Sequence, residues 1–176
     1  YVYTRSQDEH LPHILHDLGY GNRVVHIPSG PENPLPRLEL VDFIPQYVSG
    51  ILEFADHKGL HYDLIHSHYW MSGMAALVLK TKWHLPIVHM FHTLGLMKQR
   101  VARLPGEAEG DYRIKGEIEV LQNVDRIVAA TLAEQAQLQW LYQVDTQRVT
   151  IIPPGVDLSR FYPISKDEAK DFIGVA

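Results

Sequence analysis

The sequence predicts an α/β fold, a Rossmann-like parallel sheet with helices on both faces, on three observations. Short apolar strands alternate with helical stretches of roughly 10 to 15 residues, which is the pattern of βαβ units. Two of those strands, 62–65 and 87–91, run straight into His, Ser, Tyr and Thr rather than into a turn. Ligands of open parallel sheets bind outside the carboxyl ends of the strands, so the polar run His66 to Gly73 and the run His92 to Gly95 mark a site for a small, hydroxyl-rich ligand.

Taken in order, Val2, Tyr3 and Thr4 read as the tail of a strand, and Arg23 to Ile27 as a second one. A Pro/Gly/Asn-rich loop covers 28–36. From Leu40 to His57, Val41, Ile44, Val48, Ile51, Leu52 and Ala55 recur at helical spacing. Pro45 either separates a first turn or lies within it, and Gly59 closes the helix. Residues 71–81 form an apolar helix in which Gly73, Ala75 and Ala76 permit close packing on the sheet. Residues 95–111, with Lys98, Arg100, Arg103, Pro105 and Gly106, read as a mobile basic loop. A helix follows over 113–123, then a strand over 126–130. Thr131 caps a helix over 132–142, and 149–152 is the last strand. At Pro153-Pro154-Gly155 the chain leaves the sheet, and Ser165 opens a further capped helix.

Composition narrows the classes. A chain of 176 residues suits one domain with a real core. A net charge of −5 gives no basic field for nucleic acid or an anionic membrane. No stretch approaches the length of an apolar membrane span. With no cysteine, disulfides and thiolate metal sites are excluded, and a cytoplasmic location is expected. The start, Tyr1-Val2-Tyr3-Thr4-Arg5, lacks the layout of a signal peptide and reads as the middle of a strand.

Four blocks then agree in order and spacing: His66-Ser67-His68-Tyr69-Trp70-Met71-Ser72-Gly73; Phe91-His92-Thr93-Leu94-Gly95; Arg113 to Arg126, ending Asn-Val-Asp-Arg; and Ile152-Pro153-Pro154-Gly155-Val156-Asp157 with Phe161 and Pro163. Together they resemble the retaining, nucleotide-sugar-dependent glycosyltransferases of the GT-B fold, in particular sucrose-phosphate synthases and inositol-phosphate N-acetylglucosaminyltransferases. The resemblance implies an acceptor-side Rossmann-like domain over 1–152, with a first strand and glycine-rich loop missing. It also implies an interdomain linker over 153–164, and over 165–176 the start of a missing nucleotide-sugar-binding domain. A parallel sheet lacking one strand leaves backbone groups open, so a marginally stable or self-associating chain is expected unless other segments complete it.

The same resemblance assigns roles. His92 matches the active-site histidine beside the reacting sugar. Tyr69 and Thr93 match positions that hydrogen-bond a phosphorylated acceptor. Arg37, Lys98 and Arg113 match basic residues, from three segments, that grip its phosphate, with Arg37 standing where Lys is usual. The implied co-substrate is a UDP- or ADP-linked sugar, and the implied acceptor a phosphorylated sugar or polyol such as fructose 6-phosphate or an inositol phosphate. No cofactor or metal is implied. The bland alternatives are a capping or core histidine at 92, an aromatic core edge at 69 and solvated surface charges at 37, 98 and 113.

Other features carry bland readings too. His66 and His68 alternate as a zinc-binding pair would, but no carboxylate or cysteine completes a set at recognisable spacing, so strand-end hydrogen bonding is expected. Glu117 and Glu119 are read as a helix-face charge and a salt-bridge partner, and Trp70, Trp83 and Trp140 as core or interface packing. The competing function is a catalytically silent fragment or interaction module of the same fold. A nucleotide-binding Rossmann protein of unrelated function is disfavoured, because no glycine-rich phosphate fingerprint follows any strand.

Overall fold

A computed structural model of the chain describes residues 1–15, 19–103 and 110–175. Among the described residues seven strands, β1 (Val2–Arg5), β2 (Ile14–Leu15), β3 (Val24–Ile27), β4 (Ile65–His68), β5 (Ile87–Met90), β6 (Arg126–Ala129) and β7 (Val149–Ile151), interleave with six helices. The helices are α1 (Ile44–His57), α2 (Trp70–Trp83), α3 (Gly95–Val101), α4 (Asp111–Asn123), α5 (Leu132–Tyr142) and α6 (Lys166–Ile173). The α/β class follows. Apart from the two-residue β2, antiparallel to β3, every strand pairing is parallel. In β6 successive residues Ile127, Val128 and Ala129 are all buried, as expected of a parallel strand covered on both faces.

The strands fall into two sheets, β1-β3-β2 and β4-β5-β6-β7, rather than one. Between edge strands β1 and β4 lies a trough of about 650 Å³, with Tyr3, Ile51, Ala75 and Leu79 in its walls and His66 and His68 along one side. Tyr3 bridges the two sheets' neighbourhoods through its hydroxyl, which is hydrogen-bonded at 2.5 Å to that of Tyr62.

Several boundaries move from their expected places, each for a local reason. Pro45 occupies the first turn of α1, where its missing N–H costs nothing, and a separate 3-10 turn (Glu39–Phe43) precedes it. Strand β4 includes His66, Ser67 and His68, which were placed behind it. Its alternation is real, since Ser67 is buried while His66 and His68 face outward. The basic stretch after Gly95 is not a loop at its start. Residues Gly95–Val101 form α3, because Leu94 and Gly95 are buried and anchor the first turn; Pro105 and Gly106 lie outside the described residues. The caps hold as expected: Thr131 accepts from the N–H of Glu134, and Ser165 from that of Glu168. Trp70 is core, whereas Trp140 is 68% exposed and carries the Arg100 guanidinium over its ring at 4.5 Å.

Helices α2 and α4 pack closely because glycine permits it. A Cβ on Gly73 would stand 2.8 Å from Val120 and 2.9 Å from His89, and one on Gly116 2.8 Å from the Trp70 ring. This packing holds α4 against the carboxyl ends of β4 and β5. Residues 153–165 are exposed, and no residue of α6 is buried. Among the described residues no helix is long and apolar enough to cross a membrane.

Below the strand ends, the fully buried His89 is hydrogen-bonded from Nδ1 to Ser67 Oγ at 2.7 Å, while its Nε2 has no partner among the described residues. Burial, then the charges of neighbouring histidines, holds its pKa down at about 3. Unfolded, it would titrate near 6.5. The unfolded chain therefore binds the extra proton, and the stability from neutral His89 is complete above about pH 6.5 and drains away as pH falls toward 3. The expected slope across that window is about 1.4 kcal/mol per pH unit. Urea midpoints measured from pH 7.5 to 4 should fall for the native sequence and fall less for His89→Asn. Parallel curves would contradict this account.

Candidate functional site

The carboxyl ends of β4 and β5 present adjacent polar turns, and in both the backbone is held in an unusual conformation. Tyr69, immediately after β4, has φ 71° and ψ 151°; His92, after β5, has φ 63°. Tyr69 is in a region otherwise almost restricted to glycine, and such residues cost roughly 1–3 kcal/mol each. Strain of this kind persists only where the surroundings impose it. Here the Tyr69 N–H donates to the carbonyl of Met90 at 2.9 Å, and its own carbonyl accepts from Gly73 at 3.0 Å. The chain is thus bent so that Tyr69 opens helix α2 with its phenol turned aside.

Two further segments meet that phenol, and a third joins through one of them. Arg37, from the loop before the 3-10 turn, donates to the Tyr69 hydroxyl at 3.3 Å. The Arg113 guanidinium, from α4, lies 5.1 Å from the Tyr69 ring centroid. Arg113 Nη2 donates to Thr93 twice, to its carbonyl at 2.8 Å and its hydroxyl at 3.0 Å. The structure therefore brings Arg37, Tyr69, Thr93 and Arg113 into one connected set. His92, next to Thr93, joins through His68, whose Nδ1 is 2.9 Å from His92 Nε2. Lys98 is placed on the neighbouring helix α3, half-buried and one turn beyond Gly95.

Arg113 is not the surface charge of the bland alternative; it is 2% exposed. Its charge is met by the fully buried Glu117, one turn along α4, with Nε to Oε1 at 2.7 Å. Glu117 is also the anchor of the 92–96 turn. Its two oxygens accept from the Gly95 N–H at 3.0 Å each, and Tyr142, from α5, donates its hydroxyl to Oε2. Tyr142 in turn accepts from the Leu96 N–H at 3.0 Å. Burial, then the bond to Glu117, raises the Tyr142 phenol well above its ordinary value, so it remains a donor. Glu117 and Tyr142 escape the sequence reading. The sequence predicts a helix-face charge or a salt-bridge partner at Glu117; the pair with Arg113 fits the second, but its burial and its hold on the turn are not predicted, and nothing in the sequence near Tyr142 ties α5 to a turn some fifty residues earlier. The one available signal was the i,i+4 spacing of Arg113 and Glu117.

Burial first, and then the neighbouring histidines, lower the pKa of His66 and His68. Among the described residues no group of three or more His, Asp or Glu side chains is arranged to hold a metal ion. Chemically the site offers hydroxyl donors at Tyr69 and Thr93, guanidinium groups at Arg37 and Arg113, and imidazoles at His68 and His92. That set suits an oxyanion bearing neighbouring hydroxyls.

Comparison with known proteins agrees with the fold. The family model for Glycosyltransferase Family 4 matches residues 1–160. The chain is 36% identical over 176 residues to a D-inositol 3-phosphate glycosyltransferase of Actinosynnema mirum, covering 99% of this chain and 42% of that protein. It is 38% identical over 175 residues to D-inositol 3-phosphate glycosyltransferase 2 of Catenulispora acidiphila, covering 99% and 41%. Among solved structures it superposes on a sucrose-phosphate synthase from Thermosynechococcus elongatus with a TM-score of 0.82 at 26% identity, covering 99% of this chain and 42% of that one. It is also similar to Anabaena HepE, solved in complex with UDP-glucose, with a TM-score of 0.55 at 14% identity over 86% of this chain and 36% of that one, a likeness of fold alone. The chain thus spans about two-fifths of the length of the curated relatives it matches.

Proposed function

Because the chain belongs to glycosyltransferase family 4, we propose that it is the acceptor-binding part of a cytoplasmic, retaining glycosyltransferase. The whole enzyme moves a sugar from a UDP- or ADP-linked donor to a phosphorylated sugar or polyol. Residues 1–152 form the acceptor-side domain, 153–164 the link and 165–176 the approach to a donor-binding domain. His92 stands beside the reacting sugar. Tyr69, Thr93, Arg37, Lys98 and Arg113 receive the acceptor and its phosphate.

The observation that supports this reading best is the connected set Arg37–Tyr69–Arg113–Thr93, in which two segments meet a strand-end phenol and a third joins through Arg113. The relatives named for inositol 3-phosphate support a phosphorylated acceptor. Because Glu117 compensates Arg113, that guanidinium supplies direction by holding Thr93, and Arg37 and Lys98 are the further basic residues of the clamp. Glycosyl transfer needs an acceptor hydroxyl fixed in position with water excluded, and a clamp on the distant phosphate supplies that positioning.

Calorimetric titration of the chain with D-inositol 3-phosphate, fructose 6-phosphate and fructose tests the reading. Binding should require the phosphate. Arg37→Ala should weaken it about 10-fold or more, as expected for a charge-assisted hydrogen bond worth roughly 1.5–3 kcal/mol. Arg113→Ala is the poorer test, because it strands Glu117 and unfolding then mimics loss of binding. Equal binding of fructose and its phosphate, or no binding by a folded chain, would count against an acceptor site here. The alternative of a silent interaction module is favoured by α6, where Phe172 is 89% and Ile173 68% exposed; turnover by an extended enzyme separates the two.

A further inference from the structure

His68 and His92 end adjacent strands, and their rings meet edge to edge across 2.9 Å, Nδ1 to Nε2. The backbone arranges the meeting. His92 is held at φ 63°, and Tyr69, immediately after His68, at φ 71°. The peptide groups of His68 itself are tied on both sides by one side chain. Its N–H donates to Ser72 Oγ at 3.3 Å, and Ser72 Oγ donates to its carbonyl at 2.7 Å. His66, two residues earlier on the same strand, packs its ring against that of His68 at 4.2 Å between centroids. An outward-facing ring is thus fixed at its backbone, on one flank and at its tip.

No ion pair among the described residues involves His66, His68 or His92. The titratable side chains facing the pair are His66 beside His68 and buried His89 beneath. Burial and the neighbouring histidines hold His66 and His68 below their ordinary value, which favours an uncharged His68 ring able to accept at Nδ1. Such a contact needs one donor and one acceptor. A neutral imidazole side chain prefers its proton on Nε2. If His92 Nε2–H donates to His68 Nδ1, both rings keep the preferred form; the reverse arrangement puts both in the disfavoured one.

We propose that His68 is the positioning residue for His92: its Nδ1 accepts the His92 Nε2–H, fixing that ring as a single tautomer with Nδ1 unprotonated. The role given to His92 rests on the acceptor-site reading above; the His68–His92 bond does not. In hydrolase triads the group that orients the histidine is a carboxylate, which also stabilises the imidazolium. An imidazole in that place orients without favouring the charged form. His68 therefore keeps His92 as a directed hydrogen-bonding group, which suits a transfer in which the histidine positions hydroxyls.

Long-range proton–nitrogen NMR of the uniformly nitrogen-15-labelled chain at pH 7.5 tests this. For the native sequence, His92 Nε2 should resonate as a protonated nitrogen and Nδ1 as an unprotonated one. In His68→Ala both His92 resonances should shift toward each other as the tautomers mix. In His68→Asn, whose amide oxygen stands near the position of Nδ1, the original pattern should return. His68 faces outward, so both variants keep the fold, with His10 as an exposed internal reference. A native His92 protonated on Nδ1, or one unchanged by His68→Ala, would overturn the proposal. Because the readout needs no ligand, the phosphate titration can fail while this result stands, and the converse.

Discussion

Glu117→Ala should destabilise the chain by about 3–5 kcal/mol, the cost typical of removing one member of a buried ion pair. The size follows from burial. Arg113 and Glu117 are almost completely enclosed, so the remaining guanidinium finds no water in exchange for its lost carboxylate. Two other groups lose a partner in the same step, the Gly95 N–H and the Tyr142 hydroxyl, while the Arg113 Nε–H loses its acceptor. Glu117→Gln should be nearly as costly, because it keeps the shape and removes the charge. Replacing both partners by apolar residues of similar volume should recover much of the stability, since the desolvation cost of both charges disappears together. The recovery has a structural limit, for Gly95 would still lack an acceptor and the turn carrying His92 and Thr93 would loosen. Urea unfolding of the three variants, with Arg37 left intact, gives the comparison. A loss below about 1 kcal/mol for Glu117→Ala would mean that the pair is not buried as described.

The same pair shows where the sequence was legible and where it was not. Strand–helix alternation, the capping residues Thr131 and Ser165 and the polar strand ends were readable because each depends on near neighbours. The blocks that carried the family resemblance divide into two kinds. His66 to Gly73 and Phe91 to Gly95 build the site. Asn123-Val124-Asp125-Arg126 builds the frame: Val124 is buried, Asp125 accepts from the Ile87 N–H and from Lys80, and Arg126 donates to Gln147. Spacing alone does not separate these kinds. The sequence predicts a helix-face charge or a salt-bridge partner at Glu117, and neither says that it is buried. It is buried here because α4 presses on α2 through Gly73 and Gly116 while α3 and Tyr142 cover its end, and those contacts span 20 to 50 residues of sequence. The helix α3 was missed for a related reason. Its basic residues look like a loop until Leu94 and Gly95 are seen to be buried.

The trough between the two sheets sets the other large expectation, that the chain self-associates through the edges of β1 and β4 as its concentration rises. In β1, Val2 and Ser6 donate toward β3, so by strand alternation Tyr1, Tyr3 and Arg5 turn their backbone groups the other way. In β4, Ile65 and Tyr69 donate toward β5, which leaves Leu64 and His66 facing outward. Both edges therefore present unpaired N–H and C=O groups across an apolar trough, the arrangement that recruits another strand. With a strand spacing near 4.8 Å, a layer depth near 10 Å and a rise of about 3.3 Å per residue, one strand residue fills roughly 160 Å³. The cavity of about 650 Å³ is thus strand-sized, with room for roughly four residues. Dilute protein should exchange the amides of Tyr3 and His66 quickly and those of Thr4 and Ile65 slowly. Sedimentation at rising concentration should show association together with new protection at Tyr3 and His66. Leu64→Pro should suppress it: the lost N–H faces away from β5, so the β4–β5 ladder survives while one free edge is blocked. A monomer at every concentration, melting cooperatively above about 60 °C, would show instead that the two edges are satisfied within the chain.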